Sequence, residues 1–180
     1  GYAYPAGREE DLYKHRDLTK IMITYLPQTA AQYREWVNAF SAAVSKIDAS
    51  RNDELVKYVA HCLEDGTGDN FRARLQVAAQ FTLFAKHISA EFLKPEVLSS
   101  HPDIGAELTA YTERCRHARV GPHGGVMLNI MSSFFELDAS ASGAVGQMTL
   151  LALTLPGNSF NDLQAFVRKV EYVKNAIKTQ

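Results

Sequence analysis

The sequence predicts an all-α fold of about seven helices, divided into two small lobes joined by a Gly/Pro hinge. Three observations carry this. Apolar residues recur at three- and four-residue intervals along much of the chain, as Tyr33, Trp36, Val37, Phe40, Ala43, Val44 and Ile47 do within QYREWVNAFSAAVSKI. The strict alternation of a half-buried strand is almost absent. Helix-opening residues and Pro/Gly breaks fall at the ends of the periodic stretches.

Residues 1–28 mix charge, proline and tyrosine without a sustained period and read as an N-terminal arm. Within it a short helix is expected over Asp11–Lys20 and an extended stretch over Ile21–Tyr25. The first lobe spans 29–119. Thr29 followed by Gln32 is a capping-box start for a helix running to about Asp48. Ser50 and Asp53 can cap the next, which turns Leu55, Val56, Val59, Cys62 and Leu63 inward. EDGTGDN breaks the chain, and a central helix follows from about Asn70 to His87, apolar over a wide arc. ISAEFLKPEVLSSHPD is a broken segment in which Pro95 ends one turn and Pro102 opens a fourth helix marked by Ile104, Leu108, Tyr111 and Cys115.

RHARVGPHGG is the expected hinge, because Gly121, Pro122, Gly124 and Gly125 all disfavour a helix interior. The second lobe, 120–180, holds a fifth helix over Val126–Leu137, a sixth over about Ser142–Leu153, and a final amphipathic helix after LPGNS. The final helix repeats the opening spacing with Phe160, Leu163, Phe166, Val167, Val170, Val173 and Ile177, while Arg168, Lys169, Lys174 and Lys178 form its solvated side.

Composition narrows the function classes. Of 180 residues, 46% are hydrophobic and 22% charged, the balance of a globular protein. Nineteen basic and twenty acidic residues leave a net charge of −1. Displacing counterions from bare nucleic acid needs a positive surplus, so RNA contact is expected to come mainly from a region outside this chain. Cys62 and Cys115 belong to no C-x-x-C pair and read as reduced, buried thiols, the alternative being a single disulfide, which would need an oxidising compartment. No apolar run has the length of a membrane span, so no membrane partner is expected. The chain opens on glycine without a signal peptide, as a fragment of something longer would.

Motifs for phosphate cradles, dinucleotides, nucleophile elbows and zinc proteases are missing, as is the E-x-x-H of di-iron bundles. The expectation is therefore no enzyme, no catalytic residue, no metal and no cofactor. His87/Glu91 and Glu113/His117 could each face one ion from a helix, but a pair supplies only two ligands, and such pairs commonly serve helix stability. His61 beside Cys62 suggests a nucleophile and base, but the thiol falls on the buried side. His15 and His101 read as solvated. ERCRHARVGPH gathers Arg114, Arg116, His117, Arg119 and His123 into a candidate anion or RNA contact. The blander reading, a solvated helix end whose charges suit the dipole, is favoured over it. Arg8, Arg72 and Arg74 are too scattered to extend the patch.

Three stretches, LPQTAAQYREWVNAFSAAV, GGVMLNIMSSFFEL and MTLLALTLPGNSFNDLQAFVRKVEYVKNAI, resemble in order the Gag capsid region of copia-type retrotransposons. The resemblance runs from about Leu26 to Ile177 and rests on degenerate patterns. It departs from the family at VMLNIM, where a tryptophan often stands, and in having no zinc knuckle within the chain. What it implies is a retroviral-capsid-like fold and a structural protein that self-assembles into an intracellular, cytoplasmic particle enclosing RNA. Tyr33, Trp36, Phe134, Phe135, Leu151 and Phe166 would be its structural or assembly anchors. Two rivals stand beside it: a helical adaptor that binds a partner peptide in a groove, and an enzyme built on a polar cluster near His117 and His123.

Overall fold

The computed structural model describes residues 15–136, and every regular element among them is helical. Contacts divide the chain into two compact units, Gly1–Ser133 and Phe134–Gln180. Of the second, only residues 134–136 are described. The sixth and final helices expected from the sequence, with Leu151, Phe166 and the lysine-rich face, lie outside the described residues, as does Arg8.

A short helix α1 (His15–Leu18) leads through a turn at 19–20 into a strap over 21–28 without regular structure, and then into α2 (Ala30–Ile47). The capping box forms as expected at one end. The Gln32 N–H donates to Thr29 Oγ1 at 3.2 Å, while Gln32 Oε1 reaches one residue further back, to the Gln28 N–H at 2.9 Å. Trp36, Phe40, Val44 and Ile47 form the buried face, with the Trp36 and Phe40 rings stacked 4.9 Å apart.

Helix α3 (Glu54–Glu64) starts by a device that the sequence hid. Asp53 occupies the N-cap position in a left-handed conformation, φ 51°, and its side chain caps nothing. Asp48 caps instead, from the preceding turn: its Oδ2 accepts the N–H groups of Leu55 and Val56 at 3.1 and 3.2 Å. Its Oδ1 is held by the Ser50 hydroxyl at 2.6 Å, and Ser50 Oγ in turn accepts from the Glu54 N–H at 2.7 Å. A carboxylate on orphan N–H groups at the positive end of a dipole is a strong cap. Asp48→Ala is expected to lower stability by about 1–2 kcal/mol in urea titration, with Asp53→Ala causing a much smaller change.

The central helix expected over about 70–87 is two helices. α4 (Asp69–Leu75) stops, a single 3₁₀ turn (Ala79–Phe81) intervenes, and α5 (Thr82–Phe92) continues five residues past His87. The break has a tertiary cause. The buried Tyr58 hydroxyl donates to the Leu75 carbonyl at 2.8 Å, an acceptor that a continuous helix would have used for its own next turn. Tyr58 also stacks on Phe81, ring centroids 4.2 Å apart. Breaking the axis lets Phe71 and Leu75 on one side and Phe81, Phe84 and Phe92 on the other all become buried.

Pro95 begins a helix rather than ending one: α6 (Pro95–Ser100) has it in the first turn, where a missing N–H costs nothing. Pro102 opens α7 (Pro102–His117) as the sequence predicts. His101, expected to be solvated, is buried and is the N-cap, its Nδ1 accepting from the Ile104 N–H at 3.2 Å. α6 packs closely on α7, with Gly105 lying against the Leu98 carbonyl.

The last described helix, α8, occupies 124–136. It begins two residues before the expected Val126, so Gly124 and Gly125 are helical. By contacts, 120–133 group with the helices before them, in the unit that ends at Ser133. The physical reason is packing. A Cβ on Gly124 would come within 2.6 Å of the Ala85 carbonyl oxygen, and one on Gly125 within 2.6 Å of the Tyr58 hydroxyl, so both glycines let α8 lie directly on α5 and α3.

Candidate interaction surface

The arm expected over residues 1–28 is, from Leu18 onward, part of the core. Leu18, Ile21, Ile23 and Leu26 are each at most 1% exposed, while Met22 is 67% and Tyr25 49% exposed. Among the described residues no neighbouring strand holds the strap. Side chains do: His87 Nε2 donates to the Ile21 carbonyl at 2.8 Å, and Glu91 Oε1 accepts from the Ile23 N–H at 2.9 Å. Trp36 Nε1 donates to the Tyr25 carbonyl at 3.1 Å, and Ser100 Oγ accepts from the Leu26 N–H at 2.8 Å. The His87/Glu91 pair, weighed above as metal ligands, therefore serves as a clamp from one face of α5. Lys94 adds a 3.1 Å ion pair to Glu91.

Beside the strap runs an open groove of about 190 Å³, bounded by residues 21–25 and by Trp36, Ala39, Phe40 and Ala43 of α2. A second open groove of about 880 Å³ lies against the same helix, with Asp17, Lys20, Ala42, Lys46 and Asp48 among its walls. Met22 and Tyr25 are two of the four large apolar side chains exposed among the described residues, the others being Val77 and Val120. Sequence reasoning missed this surface, since nothing in MITY distinguishes the exposed Met22 from the buried Ile23.

The basic cluster separates into two environments. Arg114, Arg116, His117 and Arg119 are exposed together at the C-terminal end of α7, favourable to its dipole. Arg116 is engaged by Glu113 at 2.7 Å, and that contact holds the Glu113 carboxyl below its usual range. Arg119 stands at φ 59°, donating its N–H to the Arg116 carbonyl while Val120 donates to Cys115, the pattern of a Schellman turn usually closed by glycine. His123 is not with them. Its ring is mostly buried, its Nδ1 accepts the Gly125 N–H at 3.2 Å, and its own N–H donates to the Tyr111 hydroxyl at 3.0 Å. Burial pushes its pKa down to about 4, so it is neutral near pH 7 and offers an anion no charge. The other half of that contact, the Tyr111 phenol, is pushed up, by burial first and by Cys115 second.

Other candidate groups have structural partners. His61 is buried, with Nδ1 2.8 Å from Asp65 Oδ2 and its ring tilted against Phe71. Burial pushes the neighbouring Cys62 thiol up to about 12, far from a nucleophile, and both cysteines are free and buried. Arg72, read as scattered, donates from Nε to Asn129 Oδ1 at 2.9 Å and from Nη2 to Ser133 Oγ at 3.3 Å. Asn129 is fully buried and donates to the carbonyls of Cys62 and Gly66, both at 2.8 Å. This network ties α8 to α3 and α4. Among the described residues no three His, Cys, Asp or Glu side chains converge as a metal site would require, and no helix is long and apolar enough to cross a membrane.

Of the expected anchors, Trp36 is buried, stacking on Phe40 and, at 6.2 Å, on Phe92, while Tyr33 is half-buried at the edge of the same face. Phe134 is half-buried and Phe135 buried, their rings edge to face at 5.5 Å. No family model, no curated protein and no solved structure matches this chain.

Proposed function

We propose that this chain is a capsid-like structural protein, of the kind its resemblance to copia-type Gag implies, whose copies associate into an intracellular particle around RNA. One observation carries the reading. Among the described residues, His61, Cys62, His87, Glu91, His101 and Asn129 are each buried or bonded within the helical framework, whereas the strap turns Met22 and Tyr25 to solvent. Exposed apolar side chains on a rigid framework suit many weak contacts that add through multivalency. RNA in such a particle would be held mainly by sequence outside this chain, with the arginines ending α7 as an auxiliary contact.

The expected result is a weight-average mass that rises with concentration in light scattering, and particles in electron microscopy. A monomer that persists at high protein concentration and high salt overturns the reading. The 880 Å³ groove against α2 favours a second, an adaptor that seats a partner peptide there. It predicts that persistent monomer.

A further inference from the structure

We propose that Arg119 occupies a strained turn because its guanidinium, together with that of Arg114, binds the phosphate groups of an RNA strand at the exposed end of α7. This rests on the RNA-enclosing reading above and assigns one contact within it.

Two non-glycine residues among the described ones have positive φ, Asp53 at 51° and Arg119 at 59°. Aspartate is one of the few residues that visit this region routinely; arginine is not. The turn at Arg119 asks for glycine: the Arg119 N–H donates to the Arg116 carbonyl at 3.1 Å and the Val120 N–H to the Cys115 carbonyl at 3.0 Å. The arginine side chain makes no hydrogen bond or ion pair that would offset the strain. The residue after such a turn often packs back on the last helical turn, yet Val120 is 56% exposed. Neither the backbone nor the packing is served by arginine here.

The helix dipole does not require it either. Arg114, Arg116 and His117 already fill the last turn of α7, and the effect fades beyond that turn. What Arg119 supplies is a charge in open solvent. Residues 116–121 are all exposed, and a Cβ on Gly121 would meet nothing within 4 Å. Arg116 is committed to Glu113, but Arg114 and Arg119 make no ion pair among the described residues. Both keep a full fork of donors, the geometry that grips a phosphate by two parallel N–H···O bonds. The chain holds no acidic residue from Arg114 to Phe135, so a local positive excess exists despite the overall charge of −1. With so few phosphates neutralised, the contact is weak and sensitive to salt.

The test uses the full 180-residue chain and a fluorescein-labelled oligouridine RNA. Anisotropy across a salt series is measured beside urea unfolding and light scattering. Arg119→Gly is expected to raise the urea midpoint while weakening RNA binding about three- to tenfold, with the salt slope reduced by about 0.7. Arg114→Gln should lose affinity to a similar extent without that gain in stability. Arg51→Ala, which removes the same charge from an exposed turn elsewhere, should stay within about twofold of the parent. Unchanged binding by Arg119→Gly, an equal loss in Arg51→Ala, or a parent chain that does not bind at low salt overturns the site. A lower urea midpoint for Arg119→Gly overturns it too, since the arginine would then serve the fold. Displacement of the RNA by polyglutamate as readily as by inorganic polyphosphate makes the ligand an acidic protein surface and overturns the RNA assignment. Light scattering reports assembly separately: particles that form without this contact leave the capsid reading standing, and a chain that stays monomeric removes it.

Discussion

Gly124→Ala is expected to destabilise the protein by about 3 kcal/mol, and Gly121→Ala to change stability by less than about 0.5 kcal/mol. The two glycines sit three residues apart in the stretch that the sequence presents as a hinge, yet their surroundings are opposite. A methyl group on Gly124 would meet the Ala85 carbonyl oxygen at 2.6 Å and Ile88 Cβ at 2.7 Å, both parts of α5 that cannot swing aside. A methyl group on Gly121 meets nothing within 4 Å. Helix propensity works in the other direction, since alanine suits a helical position better than glycine by about 1 kcal/mol. A measured loss at Gly124 therefore understates the steric term. Urea midpoints at constant m-value give the comparison directly. Equal, small effects at both positions would mean that α8 is not seated on α5 and that the turn is free to act as a hinge.

The same contrast shows what could be read from the chain and what could not. The α2 stripe was legible because its periodicity, its Thr29/Gln32 start and its buried Trp36 and Phe40 all express the same local preference. Pro102 was legible for the same reason. The break after Leu75 was not, since Gln76, Val77 and Ala78 contain neither glycine nor proline; it is imposed by Tyr58, seventeen residues earlier. The strap was half legible. An extended stretch was expected over Ile21–Tyr25, but its bonding partners, Glu91 and Ser100, come 68 and 74 residues later and leave no local trace. Histidines misled most. In the sequence, His101 and His123 are both rings among loop residues beside proline, the first read as solvated and the second as part of a basic cluster. Folding makes each a cap at the start of a helix, and only burial distinguishes that role from a charged surface group.

Acidification from pH 7.5 to pH 5 is expected to cost the protein about 2 kcal/mol of stability through His123 alone. In the unfolded chain a histidine titrates near 6.5, whereas burial holds the folded His123 near 4. Between those values the unfolded state binds the proton and the folded state does not, so stability falls as pH falls. The loss begins below about 6.5 and reaches about 3 kcal/mol once the pH passes below 4. Geometry gives the same sign. Nδ1 accepts the Gly125 N–H at 3.2 Å, and a proton on that nitrogen would set two donors against each other at the first turn of α8. Carboxylates titrate in the lower part of this window, so the parent must be compared with His123→Asn, which keeps an acceptor at the cap but carries no ionisable ring. The parent's urea stability relative to the variant's should fall by about 2 kcal/mol from pH 7.5 to 5. A constant difference would show that the ring is solvated in the folded chain, and the turn between α7 and α8 would then lose its claim to be packed. A relative fall of that size makes acid loosen the end of α7 where Arg114, Arg116 and Arg119 are displayed, so any particle built from this chain should be less stable below pH 6 than at neutral pH.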